Sequence, residues 1–441
     1  METLIIYLAI LAGIGIFDWR RSGNWDDYVL AGRSKSAPVV TLSILASVVG
    51  ASSTMGVVGM AYGTGFPAFW WLGVGAVGLV MQGFFLSDKV RALGTSTLPD
   101  LAERVAGPWM RKVAAVVVAA GWTGIVAAQF VAAAKVAGTI SGFDTLSMTL
   151  ATAAVITGYA VLGGQHSVIR TDVLQFGILA GGLGWLLYVL YGGTPVPAHT
   201  LAPMAVNDAF SSYDLMEFML LVGGSYFICP IIFSRLFTAR SNRAAREASL
   251  SAGVLIIPVS LAITAVGLWA SHAMPGIEGD VLTTVAAAHL GPMASTIFLL
   301  ALLSAIVSSA DTCLLAVGSI VSLDLMHSKS VKNVRGIVVI TGVAATAIAL
   351  KRQDIIGILL EAYSVFTAGL VPPLAAGLLG RGRFAPAHGP LLAAAVVGGG
   401  MALAASVTEA SWLSLAGLGA STVLSVAACF MPASQSAFST K

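Results

Sequence analysis

The chain has 441 residues, of which 57% are hydrophobic and only 10% charged, with a mean hydropathy of +0.91. Soluble domains run near ~25% charged residues, so there is too little charge to coat a water-soluble protein of this length. That excludes a soluble enzyme, a disordered scaffold and a nucleic-acid binder, and leaves an all-α polytopic membrane protein. The net charge of +3 matters less than where the charges lie. Cys229, Cys313 and Cys429 stand singly in apolar stretches without metal spacing and read as small core residues.

A membrane helix needs roughly 20 mainly apolar residues. Such windows fall, in chain order, at 3–17, 38–64, 66–86, 113–138, 146–164, 168–191, 213–239, 248–270, 293–326, 334–350, 354–380, 385–406 and 411–431. They are numbered spans 1 to 13. Span 1 is short, and Arg20 and Arg21 follow rather than precede it, unlike a cleaved signal. Span 9 is too long for one straight crossing and is expected to tilt and project. Basic residues follow odd-numbered spans: Arg20, Arg21, Arg33 and Lys35; Lys89, Arg91, Arg104, Arg111 and Lys112; Arg170; Arg240, Arg243 and Arg246; Lys329, Lys332 and Arg335; Arg381 and Arg383. Lys135, Lys351 and Arg352 are the exceptions. Basic loops stay inside, which places the N-terminus outside and the C-terminus, with Lys441, in the cytoplasm.

Span 2 carries Gly50-Ala51-Ser52-Ser53-Thr54-Met55-Gly56 at mid-depth, and span 7 carries Gly223-Gly224-Ser225-Tyr226-Phe227-Ile228-Cys229-Pro230. Glycine, hydroxyl side chains and proline all weaken a helix. One such segment could simply let helices pack closely. Two of them, five spans apart, suggest more. Five is odd, so five-helix units starting at spans 2 and 7 have opposite orientation, the geometry of inverted-repeat transporters with an interrupted first helix in each repeat. The expected division is 1–37, first span and inside loop; 38–191 and 213–380, the 5+5 inverted-repeat core; and 381–441, two further spans and a short tail.

Span 9 holds the densest polar cluster, Ser304 to Thr312, with Ala305, Ser308, Ser309 and Thr312 on one helical face. Asp311 lies near mid-membrane, where a carboxylate is costly unless paired, hydrated or bound to a cation. Asp172 opens span 6 beside Arg170, either as a surface residue favouring the helix N-terminus or as part of a buried site. Glu217 and Glu361 lie within or beside spans. Hydroxyls, carbonyls and carboxylates suit hard cations, and composition leaves sodium, potassium and proton open.

These segments bring a resemblance into view. Asp27 to Arg33, the glycine-rich Gly50 to Gly65, Thr97-Leu98-Pro99-Asp100, Gly163-Gly164 with Thr171 to Gln175, Pro230 and Arg235 with Ala239 to Ser241, and Ser308 to Thr312 ending near Asp324-Leu325 stand in the right order. The chain resembles the sodium–solute symporter family. The resemblance implies a leucine-transporter-like fold and sodium-coupled uptake of a small organic solute by alternating access. It implies a sodium site formed by the carbonyls of Ala51, Thr54 and Ala305 and the hydroxyls of Ser308 and Ser309. Asp172 would serve a second sodium or the release path. Ser53, Met55, Trp122, Gln129, Tyr226 and Tyr363 would line the solute pocket. Where proline carriers place an aspartate in the first broken helix, this chain has Ser53, and its Ser308-Ser309-Ala310-Asp311 run is more like the choline and pantothenate branches. Trp70 and Trp71 read as interface anchors rather than a cation–π cage. A multi-pass protein of the cell membrane follows, monomeric, with lipid and the solute as partners, no nucleic acid, and no enzymatic motif. A membrane sensor acting through a partner protein and a channel-like uniporter are the alternatives.

Overall fold

The computed structural model describes Gly13 and residues 25–162, 165–193, 203–380 and 386–431. The rest of span 1, Gly163, Gly164, Arg381, Arg383 and Lys441 lie outside the described residues. Eleven helices among the described residues are long and apolar enough to cross a membrane, and one bent pair makes a twelfth crossing. The bent pair, Ala37–Val48 with Ser52–Thr64, is span 2. Spans 3 to 8 are Phe66–Phe85, Pro108–Ser141, Thr145–Leu162, Thr171–Gly193, Ser212–Thr238 and Asn242–Ala273. Spans 9 to 13 are Pro292–Leu325, Val331–Lys351, Ile355–Gly380, His388–Thr408 and Trp412–Phe430. Span 9 has 34 residues; at 1.5 Å per residue it exceeds a ~30 Å hydrocarbon core.

Both anticipated interruptions are present. The first arm of span 2 ends at Val49, which leaves helical geometry (φ −93°, ψ 71°). The second begins with a π turn, Ser52–Gly56, and the arms meet at 64°. The freed backbone groups find partners, as hydrocarbon surroundings require. Thr54 Oγ1 donates to Gly50 O at 2.7 Å, Gly50 N donates to Ser53 Oγ at 3.2 Å, and Ala51 N donates to Gln129 Oε1 at 3.0 Å. Span 7 contains a π turn at Phe218–Val222 and then two extended residues, Ile228 and Cys229. Pro230 restarts the helix at its first turn, where a missing N–H costs nothing.

Alternate connections gather on opposite faces. On one, Arg33 donates to Gly94 O and Thr95 O, and Lys35 pairs with the chain at Thr238–Arg240. On the same face Arg91 donates to Ala239 O, while Thr97 and Arg111 both donate to Asp324. These segments follow spans 1, 3, 7 and 9. On the other face, Asn207 donates to Thr64 O, Tyr62 to Met274 O, and Lys135 to Gln353 O. The exceptional Lys135 therefore sits with the connections that follow even-numbered spans. Close approach rests on small residues: a Cβ on Gly78 would lie 2.5 Å from Gly223 O, so spans 3 and 7 touch backbone to backbone.

Trp71 corrects the interface-anchor reading. It is 2% exposed and packs edge-on against Phe218, with Tyr363 beyond. Apolar residues near a span end can face the protein as readily as the headgroups. Trp70 instead donates its indole N–H to Met204 O at 2.9 Å.

Candidate functional site

The interruption of span 2 lies directly against span 9. A Cβ on Gly50 would meet Ser309 Oγ at 2.6 Å, Ser309 Cβ at 3.0 Å and Gln129 Nε2 at 3.1 Å. Only glycine permits this approach. Ala51, Thr54, Ala305, Ser308 and Ser309 are all buried. Neither serine bonds back to its own helix. Ser309 Oγ points at the Ala46 and Ser47 carbonyls of span 2, at 3.5 and 3.4 Å, and Ser308 Oγ donates to Asp172. Two polar strips, one of carbonyls and one of hydroxyls, thus face each other in the protein interior.

Asp172 is not a surface residue. Its helix begins at Gln165, two turns earlier, and its side chain is completely buried. It accepts hydrogen bonds from Ser43 and Ser308 and pairs with Arg235 at 3.0 Å. Arg235, also completely buried, donates further to Ser47 Oγ at 3.0 Å and Thr312 Oγ1 at 2.6 Å. Asp311 lies on the same side of span 9. Thr312 reaches its Oδ1 only at 3.4 Å, and its Oδ2 has no hydrogen-bond partner. Arg235 is a residue the sequence reading left as a motif match. Arginine inside an apolar stretch was the available signal, because a buried guanidinium demands a carboxylate.

Beside this cluster is a cavity of about 40 Å³. Trp122, Gln129, Tyr226 and Tyr363 line it, together with Gly50 and Ser309. Of the six residues expected at the solute pocket, Ser53 and Met55 are absent from its lining; Ser52 takes their place. The π turn rotates this arm, and Ser53 is consumed by the break: besides accepting from Gly50 N, it donates to Val48 O. Trp122 packs edge-on against Phe366 and its indole N–H is unpaired. None of the lining residues carries a formal charge. The volume holds a few waters but no organic solute, so a solute enters only if the surrounding helices separate.

Glu361 belongs to neither site: it makes a two-pronged ion pair with Arg352 at 2.8 and 2.9 Å, both side chains near 42% exposed. Glu217 is buried at the start of span 7.

Two interrupted helices, a small cavity at the breaks and a buried hard-oxygen cluster define a secondary transporter. The sodium:solute symporter family model matches residues 28–379. The chain therefore belongs to the sodium:solute symporter family, and is a sodium-coupled symporter of a small organic solute. It is 24% identical over 415 residues to the sodium/proline symporter of Escherichia coli, covering 84% of this chain and 81% of that protein. Over 352 residues it is 25% identical to the sodium/pantothenate symporter of Haemophilus influenzae, covering 74% and 72%. Over 400 residues it is 26% identical to the human high affinity choline transporter 1, covering 81% and 68%. The fold matches that of a Na+-coupled sialic acid symporter solved in a substrate-bound outward-open state, with TM-score 0.80, 16% identity and 98% of each chain covered. It also matches MhsT solved in complex with L-phenylalanine, with TM-score 0.63, 15% identity, and 88% and 99% covered.

Proposed function

We propose that the coupling sodium binds where broken span 2 meets span 9, held by the carbonyls of Ala51, Thr54 and Ala305 and the hydroxyls of Ser308 and Ser309. The contact of Gly50 with Ser309 is the observation that carries this assignment. The donors are all neutral hard oxygens, suited to a hard monovalent cation, and sodium held among them would fasten span 2 to span 9. The solute occupies an expanded form of the adjoining cavity, against Trp122, Gln129, Tyr226, Tyr363 and Ser52. Sodium binds first from outside and completes that pocket. The bundle then rocks, and both ligands leave inward. One sodium crossing 100 mV contributes about 2.3 kcal/mol. Since tenfold accumulation of a neutral solute costs about 1.4 kcal/mol, one ion supports roughly fortyfold accumulation before its own gradient is counted.

Ser309→Ala tests the site. In the full chain in liposomes, the sodium concentration for half-maximal binding or uptake should rise by an order of magnitude while expression is retained. Unchanged sodium dependence in a well-folded variant sinks the assignment. A screen of choline, betaine, proline, pantothenate, short carboxylates and sugars, each with and without sodium, identifies the solute.

Asp172 serves the inward release path or a second sodium. The first reading predicts slower turnover in Asp172→Asn, the second a sodium Hill coefficient reduced toward one. The basic face described above is the cytoplasmic one, with the N-terminus outside; tags at both ends, tested for accessibility in intact cells, decide this. The functional unit is one chain in lipid, with spans 2–6 and 7–11 as inverted repeats, spans 12 and 13 appended, and no role for nucleic acid.

A further inference from the structure

The Asp172 cluster carries an unbalanced charge. It contains two carboxylates, Asp172 and Asp311, and one guanidinium, Arg235; all three are fully or almost fully buried. Arg235 pairs with Asp172 directly and reaches Asp311 through Thr312. With both carboxylates ionised the sum is one surplus negative charge, in surroundings where an uncompensated ion is strongly disfavoured. Among the described side chains, three further cations on the helices around span 9 are committed elsewhere: Arg111 pairs with Asp324 and Glu103, Lys135 donates to Gln353 O, and Arg335 donates to Val161 O.

The hydrogen bonds are distributed unevenly. Both oxygens of Asp172 are occupied, one by Ser308 and the other by Ser43 and Arg235. Asp311 Oδ2 has no partner, and neither has Arg235 Nη1. An unmade donor and an unmade acceptor of opposite charge lie in one buried cluster. The two side chains are linked by Thr312, which accepts from Arg235 Nη2 and donates to Asp311 Oδ1.

We infer that Asp311 is the alternative counter-ion of Arg235: the guanidinium turns from Asp172 to Asp311 when a monovalent cation takes the Asp172 carboxylate. The inference rests on the sodium-coupled reading above, and assigns Asp311 as a positioning residue that touches neither ion nor solute. In the state described, Arg235 holds the place that a cation would hold at Asp172. Turning toward Asp311 frees an oxygen of Asp172, and the surplus charge is then matched by the incoming ion. The incoming ion removes the surplus charge, and the exchange ties cation binding to movement of the Pro230–Thr238 arm of span 7, which carries Arg235.

The test counts sodium ions. Radioactive sodium binding to the purified full chain is titrated at constant ionic strength, with N-methylglucamine as the replacement and potassium as competitor. The wild type should bind two sodium ions. Asp311→Asn leaves one carboxylate and one guanidinium, so it should bind one ion, with at least a tenfold loss at the second site. Adding Arg235→Gln to that variant restores the surplus charge and removes the blocking cation, and should restore the second ion. If Asp311 were itself a ligand, the double variant would stay at one. That result overturns the inference, as does a wild type binding one ion or an Asp311→Asn variant binding two. Asp311→Ser, with the same expectations, serves if the asparagine variant does not fold. A wild type that shows no preference for sodium over potassium sinks the sodium-coupled reading itself.

Discussion

Replacing Gly50 by alanine perturbs the junction of spans 2 and 9 with a single methyl group. That methyl would stand 2.6 Å from Ser309 Oγ and 3.0 Å from Ser309 Cβ. The hydroxyl can rotate away; the Cβ is fixed to the backbone of span 9. The helices must therefore part by several tenths of an ångström, an overpacking that costs about 1–3 kcal/mol. The separation falls on the proposed sodium ligands, so the cost should weigh most on the sodium-bound state. At 1.4 kcal/mol per factor of ten, sodium affinity should drop about fivefold to about 150-fold. Sodium-dependent thermal stabilisation of the purified protein measures this directly. Gly59→Ala is the control in the same span, because a Cβ there meets nothing within 4 Å. A Gly50→Ala protein with wild-type sodium affinity refutes the claim that the junction holds the ion.

Three further outcomes follow from the ion pairs. Asp172→Asn alone should cost less than the roughly 3–5 kcal/mol typical of an unpaired buried charge, because Asp311 can receive Arg235; Asp172→Asn with Asp311→Asn should cost the full amount, read by chemical denaturation or melting. Asp324→Asn leaves one acceptor oxygen where Thr97 and Arg111 use two, and removes the charge that pairs with Arg111 at a fully buried carboxylate, so it should lower the melting temperature clearly. Glu361→Gln removes an exposed pair with Arg352 and should change stability by no more than about 1 kcal/mol; an effect equal to that of Asp324→Asn would contradict this account of burial.

Much of this architecture is legible in the sequence because the bilayer imposes a simple rule. Each described crossing needs about 20 apolar residues, and each such window yields a helix at the expected place. The interruptions are legible too, since Gly50 and Pro230 act through local backbone chemistry. Residues whose orientation depends on tertiary contacts are harder. Trp71 is apolar whether it meets lipid or protein, so its burial against Phe218 leaves no trace in the pattern. Ser53 was expected at the solute, yet it turns into the break, because its neighbours Val48 and Gly50 needed partners. Arg235 and Asp172 are separated by 63 positions; their pairing arises only where span 7 crosses spans 6 and 9.

The π turns at Ser52–Gly56, Phe218–Val222 and Val321–Leu325 each amount to one residue more than an α-helix needs to cover the same ground. A lineage could therefore lose a residue at any of them and keep both flanks in place. Chain length is elastic at these three points among the described residues. Two homologues that differ by such a deletion would place the same atoms in space under numbers shifted by one, as neighbouring serines like Ser52 and Ser53 invite. Ligand assignments carried between relatives across such a turn are safest when matched by which backbone face reaches the cavity, rather than by position in an alignment.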